Sequence, residues 1–476
     1  MSCIYIALPM LLNKKYFLII ISIIFLFGCK KNNLLTNGIY NIETSVDTVL
    51  FDTLFTTIGS TTKRIKIYNN NEGMINISKI SLIGGENSPF RINVDGESGT
   101  QFHDLTINTA DSIFIFIEVT IDPNGSNLPL VVEDEIQFET NGNIKKVILN
   151  AWGQDAYFHV NEIVQGVWTN DKPHVIYGIV AVGYPNLDSN LTLNIDPGTK
   201  IHGHANSVFY VYKSSINVNG NLNDPVIFQQ DRMEDYLLYP SDSVPGQWRG
   251  ILLSSPLNSI FNHTLIKNAI IGVQIDTFAT NNTVSLNKVK IHNSLYTNLL
   301  TQGANVNATN CLFGNSNNYS AIVSIGGSVN FEHCTFGNYN PGYRNTPAFL
   351  FKDYYKSVND QIYFRPFDFA LFTNCIFDGN GTTEFICDTL GEDISNVITN
   401  VLFDHCSVRS EDTIQNYIFN SCFFNTENRF INPEEWVFEL TDLSEVINLG
   451  KMSNVSDDIL DLPRNAPNDL GCYEYQ

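Results

Sequence analysis

The sequence predicts an all-β protein in two parts, a short β-sandwich followed by a long coil of parallel strands. Three observations predict it. A frame of one polar residue, then Cys or a substitute, any residue and an apolar residue recurs in the second half as His263-Thr264-Leu265-Ile266, Lys288-Val289-Lys290-Ile291, Asn310-Cys311-Leu312-Phe313, His333-Cys334-Thr335-Phe336, Asn374-Cys375-Ile376-Phe377, His405-Cys406-Ser407-Val408 and Ser421-Cys422-Phe423-Phe424. Its second position falls first at 264, 289, 311 and 334, so the steps are 25, 22 and 23 residues. Apolar alternation at that period suits a solenoid with one rung per repeat, each strand hydrogen-bonding to its copy in the next rung. Residues 45–156, by contrast, lack the Cys register and alternate apolar strands with Asn, Gly and Pro turns.

At the N-terminus, Lys14-Lys15 precede a mostly apolar run from Tyr16 to Phe27. A bilayer-crossing helix needs about 20 apolar residues, so residues 1–28 read as an export signal. Met10 opens a shorter version of it, an alternative start. Leu26, Gly28 and Cys29 resemble the bacterial lipobox, which implies lipidation of the Cys29 thiol and attachment to a membrane through that lipid. Residues 29–44 read as a polar, mobile tether. The chain resembles Bacteroidetes-type lipoproteins, in which a Lys followed by acidic residues often marks surface display; Lys30 fits and the acidic residues are missing. The expected location is the cell envelope, at the outer membrane.

Strands of the first part are Arg64–Tyr68, Ile113–Val119, Glu135–Phe138 and Lys146–Leu149. Ile67-Tyr68-Asn69-Asn70, Val119-Thr120-Ile121-Asp122-Pro123, Phe138-Glu139-Thr140-Asn141-Gly142 and Ile148-Leu149-Asn150-Ala151-Trp152-Gly153 resemble an immunoglobulin-like family related to abnormal-spindle and hydin domains. The resemblance implies an immunoglobulin-like sandwich that acts as spacer or docking module.

The coil, over residues 160–476, opens with Leu191–Ile201, Ser215–Leu222 and Asp224–Phe228, short strands each ended by a turn residue. Together with Gly246-Gln247-Trp248-Arg249-Gly250-Ile251 they resemble right-handed parallel β-helix proteins of the pectin-lyase-like superfamily. At the other end, Phe438-Glu439-Leu440, Val446–Gly450, Asp458-Ile459, Arg464 and Asp469-Leu470-Gly471-Cys472-Tyr473-Glu474 resemble the closing segment of envelope β-helix proteins of Bacteroidetes-type bacteria. A rung of about 23 residues at about 3.3 Å each has room for three strands and their turns. The wider gaps from Cys334 to Cys375 and from Cys375 to Cys406 predict an inserted loop or extra rung and a long loop, and the narrow one from Cys406 to Cys422 a degenerate last turn. The sandwich and the tail are expected to cover the open ends.

The nine cysteines of an exported chain invite a disulfide reading, but Cys311, Cys334, Cys375, Cys406 and Cys422 share one register. Equivalent side chains on stacked rungs point the same way, so a ladder of buried free thiols is expected. The formal net charge is −22, which argues against nucleic acid and anionic lipid surfaces as partners. Only 16% of residues are charged while 43% are hydrophobic, so the chain has material for a core and is no disordered acidic tail.

No motif for chemistry stands out. Gly203-His204 lacks the paired aspartates of a hydrolytic β-helix, and His202 and His204 read as surface histidines. His263, His333 and His405 share a repeat position with Lys288, Asn310 and Asn374, so a solvated polar column is expected. Asp231, Glu234 and Asp235, in a charged loop that reaches towards Arg249, are the candidate catalytic residues; a carboxylate pair can serve as acid and base or bind calcium. No cofactor or metal is otherwise expected. Between Tyr339 and Phe372, eleven of thirty-four residues are aromatic. Tyr354, Tyr355 and Tyr363 are the candidate ligand-binding residues there, although packing under the inserted loop explains the cluster as simply. Asp47-Thr48-Val49 and Asp412-Thr413-Ile414 resemble a bacterial O-glycosylation signal. The leading expectation is a non-catalytic binding or scaffold lipoprotein with a glycan as ligand. Its rivals are a polysaccharide lyase or glycoside hydrolase, and an adhesin.

Overall fold

The computed structural model describes residues 33–476 except 57, 123–129, 234–239, 277–280, 343, 389–399 and 412–417. The export signal, Cys29, Glu234, Asp235 and the Asp412 triplet therefore lie outside the described residues. The chain is almost entirely β and divides into two compact units. No described helix is long and apolar enough to cross a membrane.

The first unit holds two five-stranded sheets. One orders Glu43–Thr44, Lys63–Tyr68, Ser112–Val119, Phe90–Val94 and Glu97–Gly99, with antiparallel pairing throughout. The other contains Ile75–Leu82 paired antiparallel with both Gln101–Ile107 and Leu130–Thr140. Period-two alternation drives Ile65, Ile67, Ile115 and Ile117 into the core and leaves Arg64, Phe116 and Glu118 on the outer face. The expectation of a free tether is corrected from Asn33 onward. Leu35 N donates to Met74 O at 2.8 Å, and the amides of Asn71, Asn141 and Asn143 donate to the carbonyls of Asn41, Tyr40 and Gly38. Asparagines of the sandwich turns supply the anchoring that the segment's own side chains lack.

The second unit is a parallel β-helix of three long sheets with eleven, eight and ten strands, here called I, II and III in the order in which a rung visits them. A regular rung runs Lys290–Ser294 in sheet I, Thr297–Gln302 in sheet II and Val306–Thr309 in sheet III, and returns to sheet I at Leu312–Ser316. The recurring frame lies at the III-to-I corner. Its polar residues have positive φ throughout: 39° at His263, 56° at Lys288, 52° at Asn310, 52° at His333, 55° at Asn374, 52° at His405 and 50° at Ser421. A left-handed residue turns the chain within one step, and Asn accepts that conformation at least cost among residues with a side chain.

The next residue in the frame then faces inward. Cys311, Cys334, Cys375 and Cys406 are fully buried, and each thiol donates to a carbonyl of the preceding rung, as Cys406 Sγ does to Phe372 O at 3.4 Å. All seven described cysteines are free thiols, and the ladder is as expected. Beside it, Phe313, Phe336 and Phe377 stack face to face with ring centroids 5.0 Å apart at each step, the spacing of the rungs themselves.

The gap after Cys334 holds an antiparallel hairpin, Tyr354–Lys356 with Ile362–Phe364, inserted between a sheet II strand, Phe349–Lys352, and a sheet III strand, Phe367–Thr373. The last turn passes from Ser407–Val408 to Phe419–Asn420 with no sheet II strand among the described residues.

Where the tail was expected to cover an open end, it runs along the flank of sheet I. The reason is a trough in that sheet: a Cβ at Gly314 or Gly337 would come within 2.9 or 2.3 Å of the Phe438 ring. Leu312 and Ile376 join Val446, Leu470 and Cys472 in a second hydrophobic cluster. Over its middle rungs, from Lys288 to Asn374, the polar column is consequently not solvated, another correction, while His263 and His405 stay half-buried and Ser421 is exposed. Asn310, His333 and Asn374 are at most 1% exposed, with Asn374 donating to Lys451 O at 2.8 Å and accepting from Lys451 N at 2.8 Å. Arg464 and Glu474 form an ion pair at 3.0 Å whose side chains are each 1% exposed, and Arg464 also donates to Asn310 Oδ1.

Candidate functional site

Sheet II carries two columns on its outer face, covered at the Ile322–Ser324 rung and half-buried or exposed elsewhere. Register aligns Tyr210, Leu252, Gln274, Leu300, Ile322, Leu350 and Ile386 in one, and Tyr212, Ser254, Asp276, Gln302, Ser324, Lys352 and Asp388 in the other. The polar lane crosses six rung steps, about 29 Å at the usual strand spacing, and is interrupted at Ser324, which is buried and donates to Thr301 O at 2.8 Å. Aromatic rings stand at both ends. Tyr184 packs edge-on against Tyr210 at 5.8 Å, and Tyr210 stacks on Tyr212 at 6.2 Å. At the far end Tyr354 donates to Asp388 Oδ2 at 2.7 Å, and Lys352 Nζ lies 5.6 Å from the Tyr354 ring centroid. That bond holds the Tyr354 hydroxyl proton, raising its pKa to about 12.

The hairpin carries the clearest platform. Tyr355 and Tyr363 are directly opposed across its two strands and stack at 4.8 Å with their planes 9° apart. They are 37% and 42% exposed, and Phe364 is 48% exposed. The sequence favoured packing for this aromatic stretch. The structure divides it: Phe349, Phe351, Phe367 and Phe372 fill the core, whereas the hairpin rings stand in solvent. The inserted element has too few residues to bury its own rings, and pairing them across the strands is what remains available.

Asp276, midway along the lane, escaped the sequence reading because no motif surrounds it. Burial pushes its carboxyl up to about 6, against a hydrogen bond from Gln274 Nε2 at 2.9 Å to Oδ2. Its Oδ1 is buried without a partner. The only sequence signal is its outward register in a sheet II strand.

Of the charged loop, Asp231 turns to His204, whose Nδ1–H donates to Asp231 Oδ2 at 2.6 Å. Tyr177 stacks on the same imidazole at 4.3 Å. Burial raises the Asp231 carboxyl, with His204 opposing that rise. Arg249 is exposed and forms no ion pair among the described residues; its backbone N bonds Ser207 O. His202 is no surface residue: it is fully buried, with Nδ1 2.9 Å from Gln230 O, and burial lowers its pKa to about 4. Trp248 fills the core. Among the described residues no group of three or more His, Cys, Asp or Glu side chains is placed to hold a metal ion.

No protein-family model matches the chain, and no curated protein does. Among solved structures, a protein of unknown function from Porphyromonas gingivalis W83 is similar at 15% identity over 26% of this chain and 49% of that one, with a TM-score of 0.19. The ASH/PapD-like domain 7 of human CEP192 is similar at 11% identity over 24% of this chain and 84% of that domain, with a TM-score of 0.16. The catalytic unit of a thermostable GH87 α-1,3-glucanase from Streptomyces thermodiastaticus strain HF3-3 is similar at 9% identity over 72% of this chain and 79% of that one, with a TM-score of 0.26. Likeness this low carries no inference about activity.

Proposed function

We propose that the protein is a lipid-anchored envelope module that holds an extended, neutral glycan along sheet II without cleaving it. The observation that carries this reading is the exposed Tyr355–Tyr363 pair, two stacked rings on the hairpin whose Tyr354 bonds Asp388 at the end of a lane of amide, hydroxyl and carboxyl groups. Ring faces stack on the apolar faces of sugars while flanking polar groups bond hydroxyls. Neutrality follows from charge, because a chain at −22 repels acidic polymers. The lipid on Cys29 fixes the module at the membrane.

The test is a glycan array probed with the chain from residue 29 onward, beside a Tyr355→Ala/Tyr363→Ala variant. Retention on a neutral polysaccharide that the variant loses, with its circular dichroism unchanged, is the expected result. Absence of retention on every glycan overturns the reading. The rival reading, a polysaccharide lyase or glycoside hydrolase, is favoured by the His204–Asp231 pair, since a carboxylate that orients an imidazole through Nδ1 leaves Nε2 as a base. Release of reducing or unsaturated ends, abolished by His204→Ala, would establish it.

A further inference from the structure

The sandwich unit carries a groove of about 610 Å³ on its outer face, within the size range of small-ligand sites. Its floor is Phe116, 39% exposed and stacked at 6.2 Å on Phe114. Register places Arg64 and Asn93 on either side of Phe116, and Ser98 beyond Asn93. Around the floor, hydroxyl and amide groups are already oriented by one another. Asn93 Nδ2 donates to Ser98 Oγ at 3.0 Å, Thr100 Oγ1 donates to Glu86 Oε1 at 3.3 Å, and Thr62 Oγ1 donates to Glu118 Oε1. Arg91 lines the same groove, donates to Phe90 O at 2.8 Å and pairs with no carboxylate among the described residues.

We infer that this groove is a second carbohydrate site, for a short neutral oligosaccharide, independent of the coil. The lining decides the ligand class. Glu86 and Glu118 oppose an acidic sugar, and Arg91 opposes a cationic one, so a neutral polyhydroxyl ligand meets the least electrostatic cost. One ring face beneath a circle of bidentate and hydroxyl groups matches a pyranose, which has apolar faces and a polar rim. An extended peptide fits less well. It gains affinity from backbone pairing along a strand edge, and the groove lies mainly across a sheet face whose strands already pair with one another; the edge that lines it, Glu97–Gly99, offers only three residues.

The experiment uses the chain from residue 29 onward and saturation-transfer NMR with neutral gluco-, manno- and xylo-oligosaccharides of two to three units, together with a library of extended peptides. The expected result is binding of at least one oligosaccharide, weakened about tenfold or more by Phe116→Ala and by Asn93→Ala, kept by Phe116→Tyr, and unchanged in the Tyr355→Ala/Tyr363→Ala variant. Melting curves confirm that each variant is folded. The inference is overturned if no oligosaccharide binds, if binding survives both groove variants, or if a peptide binds instead and is lost with Phe116→Ala. Because the hairpin variant tests the coil separately, failure at one site is distinguishable from failure at the other.

Discussion

At the residue scale, side chains held against their own preference are the most informative. Asp276 keeps a carboxyl where burial disfavours its charge, at some cost in stability, and such groups concentrate at functional surfaces. A carboxyl raised to about 6 in the folded chain but ordinary when unfolded binds more protons folded, so stability falls as pH rises from about 4 through about 6. Asp276→Asn removes that penalty. Thermal melts are expected to show the variant more stable at neutral pH by about 1–3 kcal/mol, with the gain vanishing below about pH 4. Asn374 shows the opposite balance. It adopts φ 55° and bonds both backbone groups of Lys451, so Asn374→Ala loses conformational tolerance and two buried hydrogen bonds together. Denaturant titration is expected to show a loss of about 2–4 kcal/mol.

At the element scale, the tail is a strap fastened by a buried ion pair. Removing one member strands the other charge in a buried site, which costs about 3–5 kcal/mol, whereas replacing both with apolar groups restores much of it. Arg464→Met is therefore expected to free the tail for proteolysis, and Arg464→Met/Glu474→Leu to protect it again; equal cleavage of the two variants would show that the pair is not the fastening. The closing motif was legible as sequence, yet its position was not. Its docking trough is made by Gly314 and Gly337, and the absence of a side chain is silent until the fold places Phe438 above it. The same holds for the polar frame, whose period predicted the rung and whose left-handed backbone explains the polar residue, while its burial depends on chain 77 to 154 residues away. The tyrosine hairpin was visible as composition alone. Whether a ring packs or projects is set by how much core an insertion reaches, and this one is too short to reach any.

At the scale of the whole coil, a period visible in one dimension becomes a column in three. Each of the last five rungs contributes one thiol at the same corner, so Cys311 and Cys422 belong to one continuous wall of the core although they lie far apart in sequence. Burial raises the pKa of Cys311, Cys334 and Cys375 well above the ordinary thiol value, which removes the reactive thiolate as well as access to it. Cys387 and Cys422 are only partly buried. Labelling of the folded chain with a thiol reagent is thus expected to modify Cys387 and Cys422 first, and Cys311, Cys334, Cys375 and Cys406 only as the coil unfolds. Because neighbouring rungs share each hydrogen bond and each stacked ring, those four should become reactive over one denaturant range rather than one after another. Prompt labelling of the inner thiols under native conditions would mean that the rungs open singly, and a coil that opens in that way cannot hold sheet II as a fixed lane for an extended ligand.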